Sequence, residues 1–181
     1  MIPHVRRLNV GCGPFARPEW INADFVAAKG VDVVVDIRSG LPFVSERLDY
    51  VVASHVLQDL PYHEVSPALA ELKRVLVPGG WLRVSLPDLD KAIQAYAGGN
   101  HAYFHVPDTD AKEIGTKLVT QLVWYGSVRT PFTFDCIAEF LARHHFRRIY
   151  RCAFRQTRSP YPDIVGLDNR PRESLFVEAM K

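Results

Sequence analysis

Short runs of apolar, largely β-branched residues recur through the first half of the chain: Leu8 to Val10, Ile21 to Ala23, Val31 to Ile37, Tyr50 to Ala53 and Trp81 to Leu86. Runs that are nearly apolar on both faces leave no side for water, so they belong in a parallel sheet covered by helices. Between the fourth and fifth runs, Val65, Leu69, Leu72, Val75 and Leu76 repeat at helical spacing, and Pro78-Gly79-Gly80 stops the helix and turns the chain. The order strand, helix, strand is a β-α-β unit.

Beyond the fifth run the pattern changes. Leu89, Ile93 and Tyr96 mark a short helix closed by Gly98-Gly99, and Ile114, Leu118 and Leu122 mark another at i, i+4, i+8. Residues 98–132 thus form an excursion, placed to act as a lid or to shape an acceptor region. A helix follows from about Phe134 to His144. Tyr150, Cys152 and Phe154 then alternate with Arg151 and Arg155 as a strand with one wet face, and Leu175 to Met180 is the last strand.

Composition sets the outer limits. With 181 residues the chain is expected to be one domain, 1–181, and 48% hydrophobic residues supply its core. A net charge of +2 is far below what phosphate-backbone binding usually requires, so no nucleic-acid partner is expected. The arginines between Arg143 and Arg172 are read mainly as a solvated face, with an anion-binding role as the sharper alternative. Cys12, Cys136 and Cys152 show no disulfide or zinc spacing, and the start MIPHVRRLNV carries no apolar leader. The expectation is a cytoplasmic protein with no membrane association; oligomeric state is left open.

The residues that carry chemistry begin with Leu8-Asn9-Val10-Gly11-Cys12-Gly13, a buried strand running into a glycine turn. Glycines there let the backbone bend tightly and let a ligand approach without meeting a Cβ atom. Read through Ala16, the stretch also fits the dinucleotide pattern G-x-G-x-x-A. Pro14 and Pro18 do not suit the helix that pattern needs, and Asp24 follows Gly11 by 13 residues where about 20 are expected. Asp24 and Asp36 end the second and third runs and place carboxylates at the same sheet edge. One can accept from ribose hydroxyls and the other from an adenine amino group; the plainer role for each is a turn or helix-cap aspartate.

In order, LNVGCG, WINAD, VDVVVDIRSGLPF, LDYVVASHVLQDLP and LKRVLVPGGWLRVSLPDL resemble the motifs of class I S-adenosylmethionine-dependent methyltransferases. The WINAD connection and the ending RPRESLFVEAMK are similar to small bacterial members of the methyltransferase type 11 kind. The resemblance spans almost the whole chain. It implies an α/β, Rossmann-like, seven-stranded, mostly parallel sheet with helices on both faces and the last strand antiparallel. It also implies S-adenosyl-L-methionine as cofactor and methyl transfer to a small-molecule or sugar-like acceptor. By position, Gly11 and Gly13 would pass the methionine and ribose portions, Asp24 would hold the ribose, Asp36 with Ile37 would hold and flank the adenine, and Ser54 and His55 would face the sulfonium.

The chain departs from the pattern at three places: Phe15 replaces a third glycine, the pair Gln58-Asp59 replaces the usual Glu-His, and His145 replaces the glycine before the aromatic residue that follows the last helix. His55 is the candidate base, because an ordinary histidine titrates near pH 6.5 and its strand end points toward the cofactor. Asp59 and His63 are weaker candidates. His101, His105, Asp108 and Asp110 raise a metal site, but Pro107 and the neighbouring glycines indicate a loop, and none is expected. Two rival functions stand beside methyl transfer: a non-catalytic domain of methyltransferase type, prompted by Gln58-Asp59, and a nicotinamide-dependent oxidoreductase.

Overall fold

The computed structural model describes residues 6–181; residues 1–5, on which the reading of the N-terminus partly rests, lie outside the described residues. The strands are β1 (Arg7–Val10), β2 (Ile21–Asp24), β3 (Val33–Val34), β4 (Leu48–Ser54), β5 (Leu76–Pro87), β6 (Arg147–Cys152) and β7 (Ser174–Met180). The helices are α1 (Tyr62–Val75), α2 (Leu89–Ala97), α3 (Ile114–Val123) and α4 (Phe134–Arg143). One seven-stranded sheet runs in the order β3-β2-β1-β4-β5-β7-β6. The pairs from β3 to β5 are parallel, and β7 is antiparallel to both neighbours.

Alternation along the strands sorts their side chains into two faces. On one, Leu8, Val51, Ala53, Leu82, Val84 and Val177 pack against Val65, Leu69 and Leu72 of α1 and Ile137 and Leu141 of α4. On the other, Tyr50, Val52 and Trp81 meet Trp20, Tyr161, Ile164 and Leu167, the last two from the 3-10 turn Pro162–Leu167. The helical cover is therefore unequal. Beyond the carboxyl end of β5, Ala92 and Ala95 of α2 join Tyr103, Phe104, Ile114 and Leu118 in a third cluster. Among the described residues no helix is long and apolar enough to cross a membrane.

Two local expectations need correction. The third strand, expected over Val31 to Ile37, keeps only Val33–Val34, although Asp32 and Val35 on either side still donate their N–H groups to the Asn22 and Asp24 carbonyls of β2 at 2.8 Å. Asp32 accepts the Asn22 N–H at 2.8 Å, and Asp36 caps the 3-10 turn Ile37–Ser39 through the Arg38 N–H. Pro78-Gly79-Gly80 lies inside β5, not in a separate turn: the strand begins directly after α1, and the β4–β5 register shifts between Leu48 and Tyr50.

Candidate functional site

The sheet order reverses at β1, whose neighbours β2 and β4 carry the chain in opposite directions across the sheet. Open parallel sheets bind ligands at the carboxyl ends of such strands, where the diverging connections leave a crevice. Here a cavity of about 410 Å³ is lined by Val10 and Gly11 after β1, Asp24 and Phe25 after β2, Asp36 and Ile37 after β3, and His55 and Val56 after β4. A second cavity of about 200 Å³ lies beside it, lined by Gln58, Asp88, Tyr103, Trp124, Arg170 and Glu173 among others. His55 and Asp59 line both.

The glycine turn shapes the first cavity in two ways. Gly11 has φ +65°, and a Cβ there would lie 2.3 Å from Val56 Cγ2. Its N–H donates to the Ala23 carbonyl at 2.8 Å, which ties the turn to β2. Gly13 has φ +47° and nothing within 4 Å of its Cβ position. Its N–H donates to Asp24 Oδ2 at 2.8 Å, while Asp24 Oδ1 accepts from the Val26 N–H at 3.0 Å. The buried carboxylate is thus held by main chain at the cavity wall. Residues 11–20 contain no helix, so the helix N-terminus that receives a pyrophosphate in the dinucleotide pattern is absent here.

Asp36 accepts from the Arg38 guanidinium at 2.9 and 2.5 Å, and this pairing holds its carboxyl below the usual range. Ile37 is buried and lines the same cavity. Ser54 is not among the lining residues: its hydroxyl accepts from Asn169 Nδ2 at 3.4 Å. Gly13 also contributes through Asp24 and not as a lining residue.

His55 has a left-handed backbone, φ +56°, held by its N–H donating to the Ser85 carbonyl at 2.9 Å. Its Nε2 lies 3.0 Å from Ser174 Oγ, and its Nδ1 is buried without a partner among the described residues. Burial, with Arg170 adding to it, lowers the imidazole pKa to about 4. The ring is therefore neutral at physiological pH, well below the titration near 6.5 that the residue type alone suggests. Asp59 accepts from Gln58 Nε2 at 3.1 Å; it stays open to solvent along the cleft, yet the enclosing walls raise its carboxyl pKa. His63 lies on the surface beside Glu64.

The excursion supplies one wall of the second cavity through Tyr103, Gln121, Leu122, Trp124 and Val128. It is fastened where the Gln58 carbonyl accepts from the N–H groups of Arg129 and Thr130. Its histidines and acids go separate ways: His105 lies 3.4 Å from Glu173, Asp108 pairs with Lys117 at 2.7 Å, and Asp110 accepts from Tyr125. Sequence reasoning missed Arg129, Arg170, Glu173 and Ser174 as site residues. The run RPRES was a usable signal for three of these, since it immediately precedes the last strand.

Residues 17–84 match a family model described as a methyltransferase domain. No curated protein matches the chain. Among solved structures, a methyltransferase of Thermotoga maritima, described as a possible histamine N-methyltransferase, shares 17% identity and a TM-score of 0.61 over 100% of this chain and 84% of its own. One from Mesorhizobium loti shares 19% identity and a TM-score of 0.59 over 100% and 94%. One from Archaeoglobus fulgidus shares 15% and 0.60 over 98% and 86%. All three are S-adenosylmethionine-dependent methyltransferases. The larger cavity fits that cofactor: Gly11 lines it with no side chain, and a carboxylate fixed by main chain stands in its wall. Residues 17–84 thus match a methyltransferase domain, and the chain along its whole length shares the fold of S-adenosylmethionine-dependent methyltransferases.

Proposed function

We propose that the chain transfers the methyl group to a small-molecule acceptor, sugar-like acceptors included, seated in the 200 Å³ cavity. The observation that carries this reading is the pair His55 and Asp59, which belongs to the walls of both cavities and marks where donor and acceptor meet. S-adenosylmethionine supplies a methyl group already activated on a positively charged sulfur. The protein's work is then alignment, exclusion of water and management of the acceptor's proton.

Gly11 and Gly13 leave room along the cofactor's path, Asp24 accepts from ribose hydroxyls, Asp36 accepts from the adenine amino group, and Ile37 flanks the base. The Ser54 hydroxyl helps to hold the loop at Asn169, close to His55 in sequence, and acts indirectly. At the junction, the unpartnered Nδ1 of His55 accepts the hydrogen of the acceptor's reacting atom. Residues 98–132 close the acceptor side as a lid. The chain works as one domain, and its three free cysteines suit the reducing cytoplasm.

Titration calorimetry with S-adenosylhomocysteine followed by a labelled-methyl screen tests this reading. Asp24→Asn should weaken binding by about 1.5 to 3 kcal/mol, the scale of a hydrogen bond to a charged group. His55→Ala should lower turnover about 100-fold with cofactor affinity within a few fold. Normal turnover in that variant removes His55 from the reaction.

A further inference from the structure

The junction between the cavities is rich in hydrogen-bond acceptors. Gln58 is only 4% exposed and lines the acceptor cavity. Its Nε2 is committed to Asp59, which fixes the orientation of the amide and leaves Oε1 as a buried acceptor with no donor. Ser174 donates its hydroxyl hydrogen to the Asn169 carbonyl at 3.4 Å. His55 must then donate from Nε2 to Ser174 Oγ, and its unpartnered Nδ1 carries the lone pair. Asp59 adds a carboxylate to the same wall.

An amide oxygen, an imidazole lone pair and a carboxylate all require hydrogens from the ligand, and a buried acceptor left without one is costly. A hydroxyl brings one hydrogen and turns its own lone pairs toward these acceptors. A primary amine brings two hydrogens and keeps its single lone pair free for reaction. Building on the methyl-transfer reading, we infer that the acceptor is an amine, its two N–H groups donating to Gln58 Oε1 and His55 Nδ1 with the Asp59 carboxylate beside them, on a small apolar body that rests against Leu122, Trp124 and Val128.

The amine reacts as the neutral base, its proton left in bulk water, because an ammonium has no lone pair to offer the methyl carbon. As the nitrogen lone pair forms the N–C bond, the C–S bond breaks and its electron pair stays on sulfur. The products are a thioether and a methylated ammonium. Positive charge therefore grows on nitrogen during the step, where Asp59 lies in the wall and Asp88 and Glu173 also line the cavity. No strong base is needed, which suits a histidine whose nitrogen is a neutral acceptor.

The test uses calorimetry on the protein loaded with S-adenosylhomocysteine. The probes are butylamine against butanol, 2-phenylethylamine against 2-phenylethanol, and the N,N,N-trimethyl derivative of the phenyl amine, which keeps a positive charge but has no N–H. Referred to the concentration of neutral amine, at least one amine should bind about 10- to 100-fold more tightly than its alcohol. It should also exceed the trimethyl compound, and transferred label should reside on nitrogen. Gln58→Met should erase about tenfold of the preference without changing S-adenosylhomocysteine affinity. Should Gln58→Met fail to fold, Asp59→Asn should reduce the same preference. Alcohols or the trimethyl compound binding as well as the amine, no amine binding to the loaded protein, or an unchanged preference in the variants overturns the inference while the methyl-transfer reading stands. Failure of S-adenosylhomocysteine itself to bind removes that reading and this inference with it.

Discussion

Replacing Gly11 by alanine should damage the fold, whereas the same change at Gly13 should damage mainly the ligand site. A non-glycine residue in the left-handed region costs about 1 to 2 kcal/mol, and both positions incur that cost, with φ of +65° and +47°. At Gly11 the added Cβ also falls 2.3 Å from Val56 Cγ2, too close for either atom to stay in place. Overpacking of this kind costs about 1 to 3 kcal/mol more, giving roughly 2 to 5 kcal/mol in all. Gly13 has no such neighbour. Urea unfolding followed by circular dichroism measures both, and a Val56→Ala background separates the contributions. Without Cγ2, Gly11→Ala should cost only the backbone amount. An equal cost in the two backgrounds refutes the clash, and a Gly11→Ala protein as stable as wild type refutes the whole argument. Gly13→Ala should lose about 1 to 2 kcal/mol of stability and bind S-adenosylhomocysteine more weakly.

Arg83→Met leaves Asp168 and Glu178 buried without their guanidinium, to which they now lie at 2.6 and 2.8 Å, and should cost about 3 to 5 kcal/mol in a urea melt; a loss below about 1 kcal/mol contradicts the reasoning. His55 has a folded pKa of about 4 against about 6.5 unfolded, so the unfolded chain binds more protons between those values and stability falls as pH drops through that window. Wild type should lose up to about 3 kcal/mol there relative to His55→Gln, and parallel pH profiles of the two urea midpoints refute this. His145→Gly should raise the melting temperature, by about 1 kcal/mol in stability at most, because His145 is exposed at φ +57° where glycine is unstrained; a lower temperature contradicts it.

That last position shows how a departure in sequence was absorbed. After α4, His145 donates to the Ala142 carbonyl at 2.8 Å and Phe146 to Leu141 at 3.0 Å, the hydrogen-bond pair that closes a helix around a left-handed residue. Histidine adopts the conformation the glycine would have taken. The strand runs were legible because alternation and helical spacing encode which face is buried. Asp24 and Asp36 were legible because strand ends in a parallel sheet share one edge. What was not legible depends on register between distant segments. Ser174 reaches His55 because β7 pairs antiparallel with β5, setting Ser174 opposite Pro87 across 119 residues of separation from His55. No local pattern contains that alignment. The low pKa of His55 was hidden for the same reason, since burial and Arg170 both come from outside its own strand.

The sheet's less helical face links stability to the site. Few helices cover it, and its strands carry Asn9, Asn22, Arg83, Ser85 and Glu178, all buried. Most of these polar side chains satisfy one another, while the Ser85 hydroxyl has no partner among the described residues. Asn9 donates to Asn22, and Arg83 binds Asp168 through Nε and Nη2 and Glu178 through Nη1. Asp168 also accepts the Arg155 N–H, so the two segments that cross this face meet at one carboxylate. The residues that follow it, Asn169 and Arg170 and then Glu173 and Ser174, are those that reach Ser54, His55 and the smaller cavity. A buried ion pair is seldom the most stabilising choice for a core, because apolar residues of similar size often serve as well. Here it does what apolar packing cannot: its directional bonds fix the start of the loop that lines the smaller cavity, so the fold's most polar interior and that edge of the sheet are held by the same arginine.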